Sequence, residues 1–400
     1  MNSPVHVVGT GVISAIGDSC SACYASLQKS NHGIRPLTSL DSIYKGSLPV
    51  GQVHLTDEEL AQKVGLEKPV TRTALLGLYA IKEAWREAGI KSSRWRRGLI
   101  SGTTVGGMDR TEVFFPSFLT NPASGHLADV VHHSCGATTE IMAQALGITE
   151  FITTINTACS SSVNAIIYGV RLIRHNKLDI VIAGGTDALT RFTINGFKSL
   201  MILDDDLCCP FDEHRKGLNL GEGAGFVILA SERVVREEGL QTKAIVSGFG
   251  NTNDAFHQTA SSPDGRGSYD AMAQALAMAN LTPEEIGYIN LHGTGTMNND
   301  LSEGTAIRRL FGTRLPPLSS SKSFTGHTLG ASGGIESVFS IMALQHQCVF
   351  PNLRFQSPIK ELDIVPQQEF EMRPVRHVLN NAFGFGGNCS SIAFSIPASS

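Results

Sequence analysis

Short runs rich in β-branched and small residues recur along the chain at Gly98 to Ser101, Ile152 to Asn156, Ile180 to Gly184, Gly225 to Ala230 and Ala244 to Gly248. Helical patterns, among them Thr71 to Ala88 and Ser268 to Ala279, lie between them. That alternation predicts an α/β fold, since strands with apolar faces placed this way are covered by the helices that connect them. No low-complexity linker interrupts it. At 400 residues and 42% hydrophobic content the chain exceeds what one simple core holds, so two units or a duplicated architecture is expected. The charged stretch Ser231 to Lys243 marks the break, giving an N-terminal half of residues 1–243 and a C-terminal half of residues 244–400.

Cys159 lies in Asn156-Thr157-Ala158-Cys159-Ser160-Ser161-Ser162, directly after the run Phe151 to Ile155. Val163, Ile166, Ile167, Val170 and Ile173 then recur at helical spacing, which places the thiol where a strand turns into the start of a helix. Unpaired N–H groups and the helix dipole favour a thiolate there, and such positions lower a cysteine pKa from about 8.5 to roughly 3.5–7.5. The plain alternative is a buried structural cysteine.

Two further segments favour the nucleophile. Asn290-Leu291-His292-Gly293-Thr294-Gly295-Thr296 follows the apolar stretch Ile286 to Ile289, which reads as a short buried strand opening into a Gly-rich loop. Ser321-Lys322-Ser323-Phe324-Thr325-Gly326-His327 precedes Gly330-Ala331-Ser332-Gly333-Gly334 and an apolar helical run from Ile335 to Leu344. A Cys, two His and a Lys on loops whose glycines permit close backbone approach form an acyl-transfer constellation.

These segments, taken with Val5 to Ser14, Pro210-Phe211-Asp212-Glu213-His214-Arg215-Lys216-Gly217, Gly221-Glu222-Gly223-Ala224-Gly225 and Asn381-Ala382-Phe383-Gly384-Phe385-Gly386-Gly387, occur in one order along nearly the whole chain. In that order they resemble the elongating, type I/II β-ketoacyl-acyl carrier protein synthases of the thiolase-like superfamily. The resemblance implies a duplicated α-β-α-β-α layered sandwich whose two sheets stack face to face around buried helices. A local echo, Cys with following serines at Asn156 to Val163 and again at Asn388 to Ala393, fits such a duplication.

It also implies roles for individual residues. Cys159 takes the acyl chain from a carrier protein, and the backbone N–H groups of Cys159 and Phe385 form the oxyanion hole. His292 and His327, neutral and donating from Nε2, hold the malonyl thioester while CO₂ leaves, and Lys322 keeps His327 neutral. Thr294, Thr296 and Thr259 match positions that bind the phosphopantetheine arm. Asp300, Glu303 and Glu336 match acidic positions that anchor Lys322 and the active-site helices. Phe383, Gly384, Phe385, Gly386 and Gly387 match a gating loop, and Met108 falls in a region that lines the acyl pocket of relatives. No permanently bound cofactor is implied, the substrates being carried on the phosphopantetheine of acyl carrier protein. A homodimer formed through the strand at Ile152 to Asn156 is implied, and a heterodimer with a homologous subunit remains open. Two departures stand out: Asn388-Cys389 replaces the usual x-Asn pair after Gly386-Gly387, and Lys216 replaces a usual acidic residue.

Two relatives of the same fold are alternatives. A coenzyme A-dependent thiolase uses a second cysteine as acid/base, and the two histidine segments argue for the decarboxylating branch instead. A noncatalytic chain-length partner usually lacks the nucleophile, which this chain keeps.

No apolar run approaches 20 residues and no charged-then-apolar leader is present, so the expectation is a cytoplasmic protein with no membrane partner. A net charge of −4 without a Lys/Arg block argues against nucleic acid. The eight cysteines read as reduced thiols, and Cys20-x-x-Cys23 lacks the second pair a zinc site needs, so no metal is expected. Asp204-Asp205-Asp206 reads as a solvated turn and Cys208-Cys209 as structural.

Overall fold

The computed structural model describes residues 4–397. Ten strands form its main sheet: β1 (Val5–Ser14), β2 (Arg97–Gly102), β3 (Phe151–Ile155), β4 (Ile180–Asp187), β5 (Gly223–Ser231), β6 (Ala244–Asn253), β7 (Tyr288–Asn290), β8 (Leu318–Ser319), β9 (His377–Phe383) and β10 (Asn388–Ser395). Six helices matter for the site: α1 (Arg72–Ala88), α2 (Met108–Thr120), α3 (Ser161–Arg174), α4 (Arg266–Ala279), α5 (Met297–Phe311) and α6 (Ser332–His346).

The strand order is β8-β7-β9-β10-β6-β1-β5-β4-β2-β3. Each half therefore repeats one plan. β1 pairs antiparallel with β5, β5 antiparallel with β4, β4 parallel with β2, and β2 parallel with β3. In the same way β6 pairs antiparallel with β10, β10 antiparallel with β9, β9 parallel with β7, and β7 parallel with β8. The duplication is thus topological. The residue echo at Asn388 is not part of it, because Asn388 begins β10, the counterpart of β5, whereas Cys159 precedes α3.

Helix α1 covers β1, β5 and β4 on one outside, and α4 covers β6, β10 and β9 on the other. Between them α3 and α6 touch each other and strands of both halves. This is the expected five-layer sandwich, with one correction. The two sheets are not separate, because β1 and β6 pair antiparallel through Val5–Val246, His6–Ile245 and Val7–Ala244, which joins both halves into one continuous hydrogen-bonded sheet.

The central helix α6 is buried from Ser332 through Leu344, so it shows no polar face and only its apolar run betrays it in sequence. Its approach to β5 depends on two glycines. A Cβ on Gly225 would sit 2.3 Å from the Ile335 nitrogen, and one on Gly334 would sit 2.5 Å from the Gly225 oxygen. The hydroxyls of Ser337 and Ser340 donate back to the carbonyls of Gly333 and Glu336 within the same helix, so polar residues are buried there at little cost.

Candidate active site

The duplication puts α3 and α6 side by side in the middle layer, and the reacting side chains sit where each begins. Ala158 takes a left-handed φ of 53°, a conformation that costs a residue with a Cβ and is found at functional turns. It lifts Cys159 over the start of α3. The turn is held by Ser161, whose hydroxyl accepts from the Thr157 N–H at 2.9 Å and donates to the Ala158 carbonyl at 2.5 Å.

His327 is fixed on both sides by the segment before β5. Its N–H donates to the Asn219 carbonyl at 2.7 Å, and its carbonyl accepts from the Gly221 N–H at 3.0 Å. This gives the Gly221-Glu222-Gly223 motif a role that its sequence alone does not reveal. His292 follows β7, and its loop is shaped by α5. Glu303 accepts from the N–H groups of His292 and Gly293 at 2.9 and 2.8 Å, and Asp300 accepts from that of Gly295 at 3.2 Å.

The three side chains converge. Cys159 Sγ, His292 and His327 present their ligating atoms within 4.8 Å of one another, and His327 Nε2 lies 3.1 Å from Sγ. The Leu329 N–H donates to His327 Nδ1 at 3.0 Å, so in the neutral ring the proton is on Nε2. At His292 the Lys322 ammonium stands 3.4 Å from Nδ1 and donates to the His292 carbonyl at 2.6 Å, which again leaves Nε2 as the protonated nitrogen. Two Nε2–H donors therefore face the space beside the thiol. The same three atoms would fit a soft metal by geometry, but donors backed by an ammonium suit an anion.

Burial, then the Lys322 charge, lowers the pKa of both rings well below the ordinary histidine value. The rings are thus neutral through the physiological range, and Lys322 acts on His292 as well as on the His327 expected from sequence. Cys159 departs from its expectation. Burial pushes its thiol up to about 11, against the opposing pull of Lys322 and the backbone N–H groups of Phe385 and Cys159 itself. Desolvation outweighs the helix-start effect at a site this enclosed.

Glu336 pairs with Lys322, as expected. Asp300 and Glu303 do not touch Lys322 and hold loop backbone instead, a correction to their grouped role. Burial raises all three carboxyls, Glu303 to about 7.

One cavity ends at Cys159 and is lined by Thr259, Thr294, Thr296 and the loop Phe383 to Gly387, so the structure brings these expected residues together. Gly384 has to be glycine, because a Cβ there would sit 2.7 Å from the Thr157 oxygen and 3.2 Å from the Cys159 nitrogen. Phe385 stacks on Phe197 with ring centroids 6.0 Å apart. Met108 does not line this cavity and packs into a neighbouring apolar cluster. Cys20 and Cys23 are free thiols whose pKa burial raises, and Asp204 is buried, so only Asp205 and Asp206 form a solvated turn.

Sequence reading missed two features. Phe197 sits in an ordinary helical segment far from any motif. Asn388, flagged only as a departure, is a hub: its Oδ1 accepts from Ser160 Oγ at 2.7 Å, Asn164 Nδ2 at 2.9 Å and Asn251 Nδ2 at 3.1 Å. It ties the end of the glycine loop to the residue beside Cys159.

Known proteins resemble the chain along nearly its whole length. The family described as beta-ketoacyl synthase, N-terminal domain, matches residues 2–234, and beta-ketoacyl synthase, C-terminal domain, matches residues 243–356. The chain is 33% identical over 405 residues to nodulation protein E of Rhizobium meliloti (strain 1021), covering 98% of this chain and 99% of that one. It is 31% identical over 424 residues to 3-oxoacyl-[acyl-carrier-protein] synthase 2 of Coxiella burnetii, covering 98% of each. Among solved structures, a chain of the ishigamide ketosynthase/chain length factor superimposes with a TM-score of 0.94 at 29% identity, covering 100% of both chains. The ketosynthase ApeO in complex with its chain length factor ApeC, from Xenorhabdus doucetiae, gives a TM-score of 0.84 at 31% identity, covering 99% of this chain and 98% of that one.

Proposed function

The chain belongs to the beta-ketoacyl synthase family, and from that membership we propose how its own residues carry out the condensation. It is an acyltransferase that joins a malonyl unit on a carrier protein to an acyl chain, with loss of CO₂, in fatty acid or polyketide synthesis. The observation that carries the residue assignment is the convergence of His292 and His327 on the Cys159 thiol, with a donor facing each ring's Nδ1 that leaves Nε2 to carry the proton.

In the first half-reaction the Cys159 sulfur bonds to the acyl carbonyl carbon, the carbon–sulfur bond to the carrier breaks, and the pantetheine leaves as a thiol with the Cys159 proton. The N–H groups of Cys159 and Phe385 hold the tetrahedral oxyanion; losing such a donor costs about 10²–10³ in rate. In the second half-reaction the malonyl carboxylate leaves as CO₂, and its electron pair passes into a thioester enolate held by His292 and His327. The enolate carbon attacks acyl-Cys159, a carbon–carbon bond forms, the bond from the acyl carbon to the Cys159 sulfur breaks, and the departing thiolate takes up a proton from solvent. Thr259, Thr294 and Thr296 line the arm, Lys322 holds His292 and its charge keeps both rings neutral, and the glycine loop moves Phe385 to admit each substrate.

We read the chain as two functional halves, 1–243 with the nucleophile and 244–400 with the histidines; the start of β6 at Ala244 supports the division. Acyl carrier protein is the substrate-bearing partner, with no permanently bound cofactor. Two-fold pairing through β3 is supported by its place at the free edge of the sheet, with Ile152 39% exposed. An edge of that kind is an aggregation hazard unless covered. The exposed Val113, Phe115 and Leu119 of α2 add apolar surface for a partner subunit, and a homodimer is the arrangement proposed. Among the described residues no helix is long and apolar enough to cross a membrane, in keeping with a cytoplasmic assignment. A noncatalytic chain-length role is disfavoured by Cys159.

Intact-protein mass spectrometry after incubation with acyl-carrier protein tests the assignment. Wild type gains one acyl mass and Cys159→Ala gains none; an acyl mass retained by the variant removes Cys159 from the role.

A further inference from the structure

Among the described residues, Lys216 is the one Lys or Arg that lines the cavity ending at Cys159. Its side chain is 68% exposed, whereas Cys159 is buried, so the ammonium stands at the mouth and the thiol at the floor. The strip that carries it lies against the threonine wall: a Cβ on Gly295, between Thr294 and Thr296, would sit 2.8 Å from the Gly217 carbonyl oxygen. Neighbouring cations are occupied. Arg215 is buried and donates to the backbone carbonyls of Asp212, Thr296 and Met297, and Lys198 is paired with Asp205. Among the described residues Lys216 pairs only with Asp206, at 3.2 Å, and that carboxylate is itself 79% exposed. A solvent-exposed pair of this kind contributes little, so an incoming anion displaces Asp206 readily.

An acyl chain delivered to Cys159 through this cavity on a phosphopantetheine arm brings a phosphate to the end of the cavity away from the thioester. We propose that Lys216 receives that phosphate at the cavity mouth, making it a specificity-determining residue that favours phosphate-bearing over phosphate-free thioesters. The inference rests on the reading that this cavity takes the phosphopantetheine arm.

The test compares wild type, Lys216→Ala and Lys216→Arg on malonyl thioesters of carrier protein, of phosphopantetheine and of pantetheine, with a fixed acyl donor. For Lys216→Ala the KM for the phosphopantetheine thioester should rise by about two- to fivefold, the range an exposed charge pair supports. That rise should shrink as salt is added. kcat and the KM for the pantetheine thioester should not move, and Lys216→Arg should behave as wild type. An equal rise for the pantetheine thioester overturns the proposal, because the effect is then structural. A rise seen with carrier protein but not with free phosphopantetheine also overturns it, because Lys216 would then meet the carrier surface. Absence of product from wild type with every thioester defeats the functional reading itself, a result distinct from either of these.

Discussion

Replacing Lys322 with Met separates what the ammonium does for the fold from what it does for the histidines. In the native protein Nζ donates to the His292 carbonyl and to Glu336, and both side chains of the ion pair are nearly inaccessible, at 2% and 3% exposure. Glu336 Oε2 already has no hydrogen-bond partner, so Lys322→Met leaves a buried carboxylate without its counter-charge. Breaking such a pair from one side costs about 3–5 kcal/mol. Adding Glu336→Gln removes the stranded charge, so the double variant should recover most of that loss in chemical denaturation. The double variant also isolates the electrostatic role. Lys322 is the second cause, after burial, of the low pKa of His292 and His327. Without it both rings titrate nearer to 6.5, and more of each is charged at a given acidic pH. The acid limb of malonyl decarboxylation should therefore move up in pH, toward 6.5. A single variant within about 1 kcal/mol of wild type contradicts the stated cost of a broken buried pair. A double variant no more stable than the single would show that Glu336 is not the stranded charge, and an unmoved acid limb would show that the Lys322 charge does not hold the two rings neutral.

Three further outcomes follow from the site. With the Cys159 thiol pushed up to about 11, its thiolate fraction grows about tenfold per pH unit well below that value. Alkylation of Cys159 by iodoacetamide should therefore climb with that slope from about pH 7 to pH 9, whereas a plateau above about pH 7.5 would restore the depressed thiol expected of a helix start. Asn388→Ala removes the acceptor of Ser160, Asn164 and Asn251; it should cost about 1–3 kcal/mol and slow acylation of Cys159, with Asn388→Asp retaining the rate, and an unchanged acylation rate in the Ala variant would show the hub does not position the nucleophile. Sedimentation at low micromolar concentration should give twice the chain mass of 42.7 kDa, shifted toward the monomer by Ile152→Lys, and a fully active monomer of the wild type would remove the proposed β3 pairing.

How far the sequence spoke depends on the range of the interaction concerned. Cys159, His292, His327 and Lys322 were legible because each is local: a residue at a strand end or helix start, flanked by glycines or serines. The strands β2, β4 and β5 were legible from their apolar runs to within a few residues, and β6 was read only from Ala244 to Gly248, because its second half, to Asn253, is polar. β8, with two residues, is too short to show periodicity, and β7 begins at Tyr288 rather than Ile286 because Pro283–Glu285 forms a tight turn just before it. The join between β1 and β6 is a pairing between residues about 240 apart and leaves no local mark. The elevated Cys159 pKa was missed for the same reason: the helix start can be read along the chain, but the enclosure that outweighs it comes from elements distant in sequence. Lys322 was expected beside His327, and its closer contact with His292 depends on β7 and β8 lying side by side.

Storage of the acyl chain on Cys159 and stabilisation of the enolate by His292 and His327 separate when labelled CO₂ released from malonyl-carrier protein is measured for wild type, His292→Ala and His327→Ala, with acylation of Cys159 measured on the same preparations. Each variant should acylate within a few-fold of wild type and release CO₂ about 10²–10³ more slowly, as expected for loss of one oxyanion donor. Normal CO₂ release by a variant that also acylates normally would contradict the role assigned to that histidine.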